Sequence, residues 1–357
     1  MRSQKIKRVW MRLSKQEALK LIQSEDLLTL GQKAYEKKRY LHPKKITTFV
    51  VDRNINYTNI CWVNCDFCAF YRHQKDSDAY ILSYEQIGQK IEELLEIGGT
   101  QILFQGGVHP KLKIQYYEDL VDWIHTNYPT ITIHGFSAVE IEYIARVSNL
   151  SYKEVLTRLQ AKGLSSIPGA GGEILVDRVR KLIAPHKLTT KQWLDIHKSA
   201  HEIGMKTTAT MMFGTLETDE EIIEHFEAIR KLQDETGGFR AFIMWSFQPE
   251  NTKLKKDHPH IQKQSSNRYL RLLATSRLYL DNFKNIQSSW VTQGSHIGQL
   301  ALKFGANDLG STMMEENVVA AAGATNSMNQ QQMIDLIKDI GELPAKRDTA
   351  YNTLETF

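Results

Sequence analysis

Apolar and polar positions along the chain follow two periods. Over the first 45 residues the spacing is helical. Leu13, Ala18, Leu19, Leu21 and Ile22 form one stripe, and Leu27, Leu28 and Leu30 carry it toward Tyr35. His42-Pro43 closes this stretch, because the residue before proline disfavours the helical region. From Thr47 onward, short apolar runs alternate with helical stretches. The runs at 47–51, 101–105, 131–134, 164–167, 207–213 and 239–247 read as strands. Helices between them have legible ends. Ser83 with Gln86, Ser151 with Glu154 and Thr218 with Glu221 have capping-box spacing, and Gly98-Gly99, Gly163 and Gly204 mark helix stops.

Strand, loop and helix thus repeat about six times, which predicts a parallel sheet with helical crossovers. An open doubly wound sheet is the rival. The length of 357 residues and the steady repeat favour an α/β fold of the (βα) TIM-barrel type, closed or partly closed. Three parts follow: residues 1–45, a helical extension that lids or plugs one barrel end; 46–284, the barrel core; and 285–357, a capping segment. Gly294, Gly298, Gly305, Gly310 and Gly323 punctuate that last segment, so it reads as loop-rich. Six strands leave one side open, so residues 285–330 are expected to close the barrel and line the substrate side. Asn307 or Asp308 would then touch the substrate, or else serve only as a turn or N-cap pair.

Composition narrows the class. Apolar residues make up 41% and charged residues 24%, ample for one large core in a globular protein. A net charge of +4 makes no case for nucleic acid. Arg2, Lys5, Lys7, Arg8 and Arg12 read as a solvated helix face. No run of about 18 apolar residues predicts a membrane span, and no signal peptide is read at the N-terminus. A cytoplasmic protein is expected.

The chemistry concentrates in Cys61, Cys65 and Cys68, the only cysteines, spaced C-x3-C-x2-C. Three thiolates on a tight loop can hold three irons of a [4Fe-4S] cube. The fourth iron lacks a protein ligand, which suits a cluster that must coordinate and reduce a small molecule. A disulfide would leave an odd thiol, and a zinc site recruiting His73 would need a longer separation between ligand pairs. A four-ligand electron carrier lacks its fourth cysteine.

Strand exits carry the other candidates. Gln105-Gly106-Gly107-Val108-His109-Pro110 follows the second run, with glycines that permit close backbone approach. His134-Gly135-Phe136-Ser137-Ala138-Val139-Glu140 follows the third, where Ser137 and Glu140 also suit a capping box. Gly171-Gly172-Glu173 follows the fourth, with Arg178 beyond it. Met212-Phe213-Gly214-Thr215-Leu216-Glu217 follows the fifth and Trp245-Ser246-Phe247-Gln248-Pro249 the sixth.

The cysteine spacing, with Phe67 just before the last cysteine, resembles the radical S-adenosylmethionine (SAM) superfamily. The segments Thr58-Asn59-Ile60-Cys61, Cys68-Ala69-Phe70-Tyr71-Arg72, 233–239, 247–252 and Gly305-Ala306-Asn307-Asp308-Leu309-Gly310 resemble one group within it, over about residues 45–330. That group holds the futalosine-pathway enzymes of menaquinone biosynthesis and the deazaflavin synthases. Segment 233–252 and Met313-Met314-Glu315-Glu316-Asn317 point to its cyclising branch. The resemblance implies a radical SAM core, a [4Fe-4S] cluster on the three cysteines, SAM, and an electron donor such as flavodoxin or ferredoxin. It implies dehypoxanthine futalosine as substrate: a benzoate joined through a ketone linker to a ribose, cyclised by hydrogen abstraction at ribose C4′ and radical addition to the ring. Aminofutalosine synthesis or tyrosine-using deazaflavin synthesis is the alternative. Cofactor contacts are expected at Phe67, Gly106, Gly107 and Ser137, and at Glu173, Arg178, Gly214 and Glu217. Relatives carry Glu where this chain has Val108, so only the backbone role of the glycine pair transfers. Glu140, His109, Asp308 and Glu173 are candidates to take the final proton, and Arg72, Arg178 or Lys303 to hold the benzoate.

Overall fold

The computed structural model describes residues 10–324 and 326–357. Arg2, Lys5, Lys7 and Arg8 of the basic run lie outside the described residues. Arg12 lies inside and is paired with Asp234 at 2.5 Å.

The strands are β1 (Ile46–Val50), β2 (Asp52–Asn56), β3 (Gln101–Gln105), β4 (Thr132–Gly135), β5 (Leu164–Ser166), β6 (Thr207–Phe213), β7 (Phe239–Ser246), β8 (Asn285–Gln287), β9 (Asp308–Ser311), β10 (Leu343–Arg347) and β11 (Thr353–Thr356). β1 and β2 form one course interrupted at Val51. β1 pairs in parallel with β9 and β10, and β2 continues against β3. One run of pairing joins β2, β3, β4 and β5, and the other joins β6, β7, β8, β9 and β1. The seam between β5 and β6 is closed by Thr208 N–H to Ile167 O at 3.4 Å and Met212 N–H to Glu173 O at 3.1 Å. The other seam is closed by Thr312 N–H to Val50 O at 3.0 Å. The result is a closed parallel barrel with its helices outside, the TIM-type architecture expected.

The apolar pattern missed β9, within a stretch read as loop-rich, and two further pieces of this barrel for a physical reason. β2 reads Asp-Arg-Asn-Ile-Asn because Asp52, Asn54 and Asn56 face a polar barrel interior. β8 is only Asn285-Ile286-Gln287. Neither shows the apolar run of a strand buried on both faces. Helix starts were more legible. The capping boxes at Ser83, Ser137, Ser151 and Thr218 are all formed.

The N-terminal helices Lys15–Gln23 and Leu27–Leu41 do not plug the barrel. They pack on the outer helices Asp219–Thr236 and Ser266–Tyr279. Lys38 is sunk there against Glu342 at 2.8 Å. The barrel floor is covered instead by the C-terminal hairpin. There Thr349 Oγ1 donates to Gln101 Oε1 at 2.6 Å.

Asn307 and Asp308 lie outside the cavity lining and are engaged by the protein itself. Asn307 Oδ1 accepts from Arg277 at 2.7 Å and from Ile286 N–H at 2.9 Å. Asp308 is fully buried and pairs with Arg347, Nε to Oδ2 at 2.5 Å. Its other donors are the Thr48 hydroxyl and Gly310 N–H. Asp308 begins β9, at the floor end, so it ties the C-terminal hairpin to the barrel.

Asp308→Ala should therefore act on stability, because it strands a buried guanidinium. Chemical denaturation should show a loss of about 3–5 kcal/mol, with retention of the reconstituted iron cluster at 4 °C where the variant remains folded.

Candidate active site

The cysteine loop leaves β2 at the C-terminal end of the barrel and returns at Leu82, whose N–H donates to Tyr57 O at 2.8 Å. Arg72 shapes it from within. Its Nη1 donates to the carbonyls of Ala69, Phe70 and Tyr71 at 2.9–3.2 Å, and its Nε to Asp78 at 2.7 Å. Arg72 is thus committed to the loop and is not free to hold a benzoate. Asn64 takes a left-handed conformation at φ 53°, turning the chain between Cys61 and Cys65.

All three thiols line one cavity. Burial pushes each of them up from the usual cysteine range, Cys65 furthest, while the Lys187 ammonium pulls the other way. Such thiols become thiolates only against strong positive charge, which an iron cluster provides. Among the described residues no three His, Cys, Asp or Glu side chains converge on a single ion. Three cysteines suit a [4Fe-4S] cube with one open iron, whereas a structural zinc takes four protein ligands.

The glycine pair lines the cavity and is also constrained by protein contacts. A Cβ on Gly107 would sit 2.3 Å from Ile60 O, and one on Gly106 would sit 2.6 Å from the Tyr57 ring. Gly107 therefore lets the β3 turn pack on the backbone beside Cys61, and its N–H donates to Thr58 O at 2.8 Å. Glu140 is fully occupied. Oε1 accepts from Tyr57 Oη at 2.5 Å and Gly106 N–H at 3.1 Å, and Oε2 accepts from Ser137 N–H at 2.6 Å and Ser137 Oγ at 2.7 Å. Burial raises its pKa against these donors. Both Ser137 and Glu140 face the cavity, but Glu140 acts as a tie between strand exits, with no lone pair left for general-base work.

Glu173 does stand at the site. Its backbone is strained, at φ 28°, and its carboxylate meets Lys187 Nζ at 2.7 Å and Arg180 at 3.7 Å. Lys187 lies 5.0 Å from the centroid of the Phe67 ring, so Phe67, Glu173 and Lys187 form one unit beside Cys65. Lys187 carried no sequence signal, since only its partner 14 residues away marks it.

Several expected contacts fall elsewhere. Arg178 is half exposed and pairs with Glu221 at 2.6 Å. Glu217 accepts from Gly214 N–H at 2.5 Å and Thr215 N–H at 2.9 Å, closing a turn outside the cavity lining, and Gly214 supplies that turn with φ 95°. His109 is buried outside the lining with Nδ1 accepting from Lys111 N–H at 3.2 Å. Lys303 donates to Ile340 O at 2.7 Å, away from the barrel mouth. Strand exit is a coarse guide, because it fixes a residue's height on the barrel and leaves its direction open.

The cavity has a volume of about 420 Å³, within the range for small-molecule sites. Polar groups missed in the sequence line its walls, among them Asn54 and Ser166, beside Gln105 and Gln287 from segments already singled out. Its roof comes from the C-terminal segment: Trp290, Met313, Val318, Val319 and Ala322. Glu315 anchors that roof to Lys90 at 2.7 Å and Arg53 at 2.8 Å.

Comparison with known proteins agrees with this geometry. Residues 55–229 match the radical SAM superfamily, and residues 236–357 match the CofH/MqnC C-terminal region. The chain is 46% identical to the cyclic dehypoxanthine futalosine synthase of Halalkalibacterium halodurans, over 97% of this chain and 92% of that protein. It is 45% identical to the protein of the same name from Streptomyces coelicolor, over 96% and 86%. Among solved structures, methylornithine synthase shares the fold at a TM-score of 0.72, with 16% identity, over 94% of this chain and 95% of that one.

A bulky residue at Gly107 should displace the cysteine loop itself. Gly107→Val is expected to lose most of its iron after anaerobic reconstitution, measured by metal analysis, along with SAM affinity. Arg178→Ala, on the surface, should leave SAM affinity within about twofold, the range of ordinary surface substitutions.

Proposed function

The chain belongs to the radical SAM superfamily, in the family of the cyclic dehypoxanthine futalosine synthases and their relatives, and we propose that it cyclises dehypoxanthine futalosine in menaquinone biosynthesis. The observation that carries this reading is the set of three free thiols, Cys65 buried and Cys61 and Cys68 half-buried, opening onto one roofed cavity in a closed barrel. A [4Fe-4S] cluster held by Cys61, Cys65 and Cys68, with SAM, supplies a hydrogen-abstracting 5′-deoxyadenosyl radical when a flavodoxin- or ferredoxin-type donor delivers an electron.

The residues of this chain do the placing. Lys187 and Glu173 set opposite charges beside Cys65 and suit the charged methionine end of SAM. Below them the substrate presents ribose C4′, which gives its hydrogen atom to the deoxyadenosyl carbon and bonds to the aromatic ring; the ring then gives a proton to a base and an electron that would return to the oxidised cluster, restoring aromaticity. Trp290, Val318, Val319 and Ala322 cover the cavity, keeping water from a carbon radical. Asp52 is suited to take the proton. It faces the cavity with only neutral donors, the Ser311 hydroxyl and Gln101 Nε2 at 2.9 Å, and burial lifts its pKa to about 6. Glu316, by contrast, is committed to the N–H groups of Val318 and Val319.

Anaerobic incubation with SAM, a reductant and dehypoxanthine futalosine tests the proposal by mass analysis. A product lighter than the substrate by two hydrogens is expected, with deoxyadenosine in matching amount. Cys61→Ala, Cys65→Ala and Cys68→Ala should each abolish both. Deoxyadenosine formed at the same rate with and without the substrate, and no cyclised product, would sink it.

A further inference from the structure

The cavity continues down the barrel axis to the floor. Its lower wall includes Gln101, His134, Thr208, Arg240, Arg347 and Tyr351. The charges on this wall are unevenly matched. Arg347 is neutralised by Asp308, as Lys187 is by Glu173 nearer the mouth. Lys206, also on the lining, is exposed and donates to Gly237 O at 3.1 Å. Arg240, the second residue of β7, makes no ion pair among the described residues. Its side-chain hydrogen bond runs from Nη1 to Thr349 O at 3.4 Å. Burial lowers its pKa, and Asp348 and Arg347 act on it in opposite senses.

A cation partly withdrawn from water without a counter-ion is costly unless a ligand supplies the charge. The groups around Arg240 leave that role open. His134 is held neutral, its pKa down at about 3 through burial and the charges of Arg240 and Arg347, with Nδ1 against Ser166 Oγ at 2.6 Å. Above Arg240 the same strand presents Ile243 and Trp245 to the cavity, an apolar wall suited to an aromatic ring. From Arg240 to Ser246 the strand rises about 20 Å at roughly 3.3 Å per residue. That leaves room for a substrate below the cysteine loop.

We propose that Arg240 is the anchor for an aromatic carboxylate, with the carboxylate on its guanidinium fork and the ring against Ile243 and Trp245. This rests on the functional reading above, in which the benzoate is the substrate's one anionic group. It replaces Arg72, Arg178 and Lys303, each of which is engaged away from the cavity floor. A guanidinium presents paired N–H donors that match both carboxylate oxygens, and lysine matches only the charge.

The test compares 3-acetylbenzoate with 3-acetylbenzamide, two probes differing in the charge of one group, on reconstituted holoenzyme by calorimetry. Wild type should bind the acid roughly 10–100-fold more tightly, the range for a charge-assisted pair. Arg240→Gln should bring that ratio close to one, with iron content and SAM affinity unchanged, and Arg240→Lys should retain part of it. For dehypoxanthine futalosine, Arg240→Gln should raise KM by a similar factor with a smaller change in kcat, since Arg240 holds the carboxylate and not the carbons that bond. An Arg240→Gln enzyme that keeps the wild-type preference for the acid overturns the proposal, as does a wild type that binds both probes equally. If wild type shows the Arg240-dependent preference yet never cyclises dehypoxanthine futalosine, the functional reading falls and the anion site stands. Cyclisation without that preference leaves the reading standing and removes Arg240.

Discussion

One buried carboxylate holds three strand exits together, and the position of the thiols depends on it. Glu140 receives Tyr57 from the end of β2, Gly106 from the end of β3 and Ser137 from the end of β4. Burial alone would drive this group toward its neutral form, and its donors oppose that. With the exits tied, Gly107 can rest on the Ile60 carbonyl, and Trp62 N–H reaches Val108 O at 3.1 Å. The cysteine loop is then fixed from both flanks. Asp66 N–H donates to Ile183 O at 2.9 Å, and Asp66 O accepts from Leu254 N–H at 2.7 Å. A loop with little regular structure is thereby held in one place by backbone bonds to its neighbours, as a site that must orient a radical requires.

The features legible in the sequence were local ones. The cysteine spacing and the capping boxes at Ser83, Ser137, Ser151 and Thr218 each span only a few residues, and local geometry decides them. The parallel barrel followed from alternation of the two periods. What escaped was either polar or distant. β2 and β8 looked unlike strands because a cavity-lined barrel puts polar side chains where a filled barrel has apolar ones. The Asp308–Arg347 pair spans 39 residues, so nothing near Asp308 revealed that it was already matched. Ser137 and Glu140 show that a capping box and a cavity wall can be the same residues.

The charges along the barrel axis complete the picture. Near the thiols, Lys187 faces Glu173; at the floor, Arg347 faces Asp308; between them the wall is built mostly of amides, hydroxyls and a neutral imidazole. Such a wall can hydrogen-bond ribose hydroxyls and a ketone without adding a net field of its own, because amides and hydroxyls offer donors and acceptors in equal measure. On that wall Arg240 is a guanidinium with no ion pair among the described residues, and Asp52 is a carboxylate of the same lining. Arg240 sets which end of an anionic substrate points to the floor. Orientation follows: the carboxylate is drawn down, and the ring and ribose above it sit folded against each other, so that C4′ can bond to the ring. The polarity of the barrel, paired charges at both ends and one open cation at the base, thus adds electrostatic direction to the shape set by aromatic walls such as Trp245, Phe247 and Trp290.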